Sequence, residues 1–447
     1  APLTAEHLMW FSHTDGLVEG NRTNFNWAQA MQHSFQDNAG TPPNLQSTKL
    51  TGEGFVLRAG VDTPDELSIH LQQLDRGPNY RWGWGGENAA GTIYFYAGGR
   101  LYSGHEREQT GDRNRNDTDG VSTFGVMKDG EYRTIGMNLL EGPLFDVEVA
   151  QFAELVPRKG ESQYAWPWYR GRRVMLVGDD YFLIYDDMAP GRTPGRFSWF
   201  VPRNNEFPNF TFLRPGRVRP DYWTQAKTAT SKGFYRDLDG TDNVVLVTHQ
   251  DDVQATNYDR SKVPFIDVTD VYRYSRKDGD LPQGGYAVST ANSDDTVFFH
   301  DQRMTYEGQH GKFYGRSGVI RRFEDGRRKL ALLRGKRISD GTVAIALEGD
   351  AAGSAQRESV NHIAGDLSVK AKQTTFTVRL MQQPNSAQAM QLYIDGQPAN
   401  AKRQGLKWRV AVPRGAHQWE LTASEPKPMA PRITSSVHTA GGANLHL

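Results

Sequence analysis

The chain has 447 residues, room for about two or three domains, and its 52 Lys and Arg balance 52 Asp and Glu, so no net field draws in nucleic acid or an anionic membrane. Cysteine is absent, which excludes disulfides, thiolate nucleophiles and cysteine-bound zinc together. No apolar run approaches the roughly 20 residues that a membrane-spanning helix needs, and a hydrophobic content of 37% excludes a disordered chain.

Only the start reads as helical. Ala5 to Phe11 and Asn26 to Phe35 carry helix formers with apolar residues three and four apart, so residues 1–44 are expected to be a helical segment or linker. The chain opens on Ala1 with no signal peptide, which suggests a processed or excised piece.

From about Leu45 the pattern changes to short aromatic and β-branched runs. Thr92 to Ala97, Arg173 to Val177, Tyr181 to Tyr185, Asn243 to Thr248 and Thr296 to His300 are examples. Turn sequences punctuate them: Lys128-Asp-Gly130, Gly178-Asp-Asp180, Glu324-Asp-Gly326, Ser339-Asp-Gly341 and Ile394-Asp-Gly396. The expected fold is all-β, a large stacked antiparallel β-sandwich (a supersandwich) over residues 45–349, with some strands buried on both faces. Gly349 to Ser354 is small and polar and marks a seam. A smaller β-unit is expected over 350–424, then a Pro-rich linker over 425–447 leading into a further module.

Before the strand at Thr92 lies Gly77-Pro-Asn-Tyr-Arg-Trp-Gly-Trp-Gly-Gly-Glu-Asn-Ala-Ala-Gly91. Its glycines let the backbone approach a ligand closely. Trp82 and Trp84 offer flat apolar faces that suit sugar rings, and Arg81 can fork onto a carboxylate or sulfate. Glu87 suits a base or a hydrogen-bond acceptor, with Tyr80 and Asn88 beside it. The competing reading is an aromatic loop that plugs the end of a sandwich.

His105 titrates near neutrality and suits proton transfer, as do His300 and His310 further on; for each, a surface or core role competes. Asp112, Asn114 and Asn116 place oxygen ligands at alternating positions, as calcium loops do, but Asp117 stands where such a loop needs glycine. In Tyr164-Ala-Trp-Pro-Trp-Tyr-Arg170, Pro167 holds the backbone extended, so Trp166 and Tyr169 could line a groove or pack inward. Asp186 and Asp187 are adjacent on a strand, point to opposite faces, and cannot act as acid and base on one bond.

The run from Gly160 through Tyr164-Ala-Trp-Pro-Trp-Tyr-Arg170 to Tyr185-Asp-Asp187 resembles the heparinase II/III-like polysaccharide lyases. Their β-domain has an arginine-led strand, a short turn and an aromatic strand that ends in aspartate. Gly91 to Arg100 and Val410 to Thr422 are similar to further strands of that domain, so the resemblance covers roughly residues 45–424. It implies a helical toroid upstream, stacked antiparallel sheets, and a secreted or periplasmic enzyme that cleaves an anionic, uronate-containing polysaccharide such as a glycosaminoglycan by β-elimination. A base takes the C5 proton, the carboxylate is neutralised, and an acid assists the leaving oxygen. On this resemblance Tyr80, Glu87 and His105 would be catalytic, while Arg81, Trp82, Trp84, Asn88, Trp166 and Tyr169 would hold substrate. The family's two histidines and aspartate before this strand are missing from Trp84 to Gly91, so its structural zinc is not expected. Two alternatives stay open: a non-catalytic carbohydrate-binding or scaffolding sandwich, and a glycosidase with separated carboxylates.

Overall fold

The computed structural model describes residues 46–423 apart from segments 51–53, 73–90, 104–121, 135–139, 158–168, 190–193, 215–222, 228–230, 239–241, 263–268, 275–280 and 383–389 and positions 62, 64, 129, 257 and 360. Among these residues the secondary structure is β-strand without helix, in four sheets of five, nine, five and twelve strands. Pairing is antiparallel except between Asn209–Arg214 and Thr269–Tyr274. The helical segment expected over 1–44 and the linker over 425–447 lie outside the described residues.

The central nine-stranded sheet explains the continuous apolar runs. Tyr169–Val177, Tyr181–Met188 and Asn243–Thr248 lie side by side, and nearly every residue of the three is buried. Alternation sends Phe182 and Ile184 to one face and Tyr181, Leu183 and Tyr185 to the other. The first face packs against both five-stranded sheets through Phe55, Phe95, Phe124 and Trp199. The second packs against the twelve-stranded sheet through Val297, Phe299, Val319 and Leu333. This is the stacked arrangement expected from strands apolar on both sides.

The twelve-stranded sheet then folds over itself. Its long strands Ser293–Gly308, Gly311–Phe323 and Arg328–Ser339 shift register near Phe299 to Met304, Tyr314 to Ser317 and Arg334 to Arg337. Such bulges bend a ribbon. The outer face closes a third core around Phe298, Phe313, Phe376, Trp408 and Trp419. Phe298 stacks on Phe313 with centroids 4.2 Å apart. The hairpin at Ser339-Asp-Gly341 shows the turn chemistry: Gly341 takes φ 89°, and Asp340 Oδ1 accepts from the amides of Thr342 and Val343. The seam expected at Gly349 to Ser354 does not interrupt the sheet: Ala351–Ser359 pairs with Arg328–Ser339 on one side and His362–Leu380 on the other.

Candidate functional site

The arginine-led strand and the aspartate-ended strand of the sequence pair directly, Arg172 opposite Asp186 and Gly171 opposite Asp187. Because neighbours alternate, the tandem arginines and aspartates sort onto the two faces of the central sheet.

On the face toward the five-stranded sheets, the Asp186 carboxylate takes four hydrogen bonds. Arg172 Nε donates at 2.6 Å and Nη2 at 3.1 Å, Tyr169 Oη at 3.1 Å and Asn243 Nδ2 at 3.0 Å. Arg172 is 1% exposed and Asp186 0%, so the pair is cut off from water, and a charge pair this deep persists only when its hydrogen bonds are filled. Burial works to lower the Arg172 pKa, yet the Asp186 charge holds it above the usual value. Burial and Asp186 push the Tyr169 phenol well above its usual range, so it stays a donor.

Arg172 has a further task. Its Nη1 donates to the Gly91 carbonyl at 2.5 Å, while the Gly91 amide donates to Gln72 O at 2.8 Å. Gly91 has φ 82°, a conformation costly for other residues. Gln72 and Gly91 flank the segment 73–90, so the described residues on either side of it are bonded to each other, and Gly91 to a buried ion pair of the central sheet.

The opposite face carries a larger polar cluster, at the end of the central core. Arg173 Nε donates to Glu154 at 2.6 Å and Nη1 to Asp187 at 3.1 Å. Tyr185 Oη lies 2.7 Å from Asp242 and 3.1 Å from Asp301, and His300 Nδ1 is 2.6 Å from Asp301. Burial raises the Asp187 pKa to about 6, Arg173 opposes this, and the charges of Asp242 and Asp301 add to it. Its Oδ1 is buried with no hydrogen-bond partner. Asp301 goes the other way: burial opposes its charge, but the His300 hydrogen bond and charge hold its carboxyl below the usual range. Glu154 links this cluster outward to Arg334 at 3.3 Å, and Arg334 reaches Asp350 at 2.8 Å.

Tyr80, Arg81, Trp82, Trp84, Glu87, Asn88, His105 and Trp166 all lie outside the described residues, as do Asp112, Asn114 and Asn116 of the expected calcium loop. Tyr169 is described and is corrected: it is fully buried, stacked on Phe124 with centroids 5.6 Å apart, and has no face to offer a sugar. The register slips between Tyr169 and Gly171, which puts the ring on the same face as Arg172, in the core. Asp186 and Asp187 do point to opposite faces. Sequence reasoning missed that Asp187 meets Asp242 and Asp301, because those carboxylates come from positions 55 and 114 residues further along. The only signal was that Asp187 and Asp242 both sit at the ends of strongly apolar strands.

No family model matches the chain, and no curated protein matches it. Among solved structures it is similar to heparan sulfate lyase HepC from Pedobacter heparinus, with a TM-score of 0.37 and 14% identity over 60% of this chain and 45% of that one. A mutant of the same lyase gives a TM-score of 0.36 and 13% identity over 68% and 45%. The chain thus spans less than half the length of the solved structures it matches.

Proposed function

We propose that the chain is the β-sheet part of a polysaccharide lyase that cleaves an anionic, uronate-containing glycan by β-elimination, working outside the cytoplasm beside a helical domain and a further module of the same protein. The observation that carries this is the closure at Gln72 and Gly91, the residues that flank segment 73–90: they are hydrogen-bonded to each other, and Arg172 fixes the Gly91 carbonyl to the buried Asp186. A rigid frame at the two residues that flank a stretch rich in Trp, Arg and Gly is what a site on a scaffold requires.

In this reading Arg81 and Asn88 neutralise the uronate carboxylate, which makes the C5 proton removable. Tyr80 or His105 takes that proton, and Glu87 assists the departing oxygen. Trp82, Trp84 and Trp166 stack sugar rings. A second reading, a glycan-binding sandwich without catalysis, is favoured by the absence of histidine and aspartate from Trp84 to Gly91.

β-Elimination leaves an unsaturated uronate that absorbs in the ultraviolet. Incubating the chain with a panel of uronate glycans, with and without its upstream region, is expected to raise that absorbance. Glu87→Gln and His105→Ala are expected to lower the rate about 100-fold or more each. Retention of glycan with no absorbance rise would favour the binding reading. Full activity in both variants would remove these two residues from the site.

A further inference from the structure

Two grooves stand out among the described residues, and they differ in charge. One of about 480 Å³ lies between the first five-stranded sheet and the central sheet, lined by Arg58, Asp180, Arg321, Lys329 and Glu148. Its cations are already neutralised: Arg58 pairs with Glu66, Arg321 with Asp180, and Lys329 with Glu148. The other, of about 370 Å³, lies where the long strands of the twelve-stranded sheet bend. Arg303, Arg316, Arg334 and Lys336 line it, with Asp350 as its one carboxylate.

In this second groove only Arg334 is paired, to Asp350 and Glu154. Among the described residues Arg303, Arg316 and Lys336 make no ion pair. Tyr314 stands on the rim, 37% exposed, one of two large hydrophobic residues that open to solvent among the described residues. The bulges create this surface. Gly315 pairs with Gly335, and a Cβ on Gly315 would come within 2.7 Å of the Gly335 Cα, so the strands approach there as only glycines allow. Either side of that contact, Tyr314 and Arg316 line the groove from one strand, and Arg334 and Lys336 from the next.

We propose that this bend is a binding site for an anionic oligosaccharide, on a different sheet from the strand that ends at Gln72. Arginine forks match carboxylate and sulfate geometry, and an exposed phenol ring gives a flat face for a sugar. The volume is that of a small-molecule site. Four cations gathered beside one exposed ring form a local cluster, which fits a short glycan. The choice of a glycan among polyanions rests on the reading above; the groove itself does not.

The test is calorimetric titration of the chain with a sulfated, uronate-containing hexasaccharide, a neutral hexasaccharide and a single-stranded hexanucleotide. The sulfated sugar is expected to bind and the neutral one not to. Arg303→Glu with Arg316→Glu is expected to weaken binding about 100-fold, with melting temperature as the folding check. The loss should shrink as salt rises from about 0.05 to about 0.5 M. On the unaltered chain, the sulfated sugar should slow acetylation of Lys336, read by mass spectrometry. No binding, undiminished binding by the double variant, unprotected Lys336, or tighter binding of the hexanucleotide would each overturn the site. An ultraviolet rise without groove binding would leave the lyase reading standing, and groove binding without the rise would do the reverse.

Discussion

Arg172 and Asp186 stand opposite each other on paired strands, Nε to Oδ1 at 2.6 Å, with both side chains sealed from water. The pair does structural work twice, holding two central strands in register and gripping the carbonyl that ends segment 73–90. Removing one partner strands the other charge in the core. Asp186→Ala is expected to cost about 3–5 kcal/mol in urea unfolding, and the double variant with Arg172→Leu less than the two single losses summed. A single-variant loss under about 1 kcal/mol would mean that the remaining charge finds water.

Asp187 makes stability depend on pH in an unusual direction. Its pKa rises from 3.8 to about 6 on folding, so the folded chain holds the proton more tightly. The stability this lends is complete below about pH 4 and is lost as pH rises toward 6. Asp187→Asn has no such titration. Relative to the parent it should gain about 3 kcal/mol between those limits, from about two pH units at 1.36 kcal/mol each. Unfolding measured at both ends gives the difference; a gap that stays constant would show that Asp187 titrates normally.

Much of this frame was legible in the sequence. Period-two apolar runs and Asp-Gly turns are local signals, so hairpins such as Gly311–Phe323 with Arg328–Ser339 could be read directly. Runs apolar on both faces, such as Phe182 to Ile184, foretold stacked sheets. Alternation separated Asp186 from Asp187. What could not be read was long-range. Nothing local says that Arg172 reaches Gly91, 81 residues away. Nor does it say that bulges at Tyr314 and Arg334 gather four cations into one groove, since a register shift is a property of two strands together. Tyr169 was misjudged for a related reason: the bulge between it and Gly171 puts its ring on the face of Val174, and a bulge too is a property of two strands together.

Gly171 sits at the irregular step between Tyr169 and Arg172, with φ 150°. A Cβ there would lie 2.6 Å from the Leu155 carbonyl oxygen, closer than real side chains come. The neighbour is backbone and cannot swing aside. Gly171→Ala should therefore displace the strand that carries both arginines and cost about 2 kcal/mol or more, seen as a fall in melting temperature. An unchanged melting temperature would mean that the strand absorbs the methyl, and that the Arg172 geometry tolerates more movement than its hydrogen bonds suggest.

Tyr185 is the hub of the inter-sheet cluster, since its hydroxyl lies within hydrogen-bond distance of Asp242 and Asp301 while its ring packs edge-on against Phe299 at 5.7 Å. Tyr185→Phe keeps the ring and removes only the proton that the two carboxylates share. The loss should be about 1–3 kcal/mol, the penalty for taking one donor away from two partly buried carboxylates. It also has a signature that mere loosening would lack. The Tyr185 hydrogen bond helps hold the Asp301 carboxyl low, so in the variant that pKa should move up toward the ordinary carboxylate range. Stability lent by Asp301 is present above the ordinary carboxylate pKa and is lost as pH falls through its folded value. The variant should therefore lose less stability than the parent below the ordinary carboxylate pKa, and that loss should be complete at a higher pH. Carboxyl chemical shifts followed by NMR would report the move directly, and an Asp301 titration identical in both proteins would show that Tyr185 has no part in setting it.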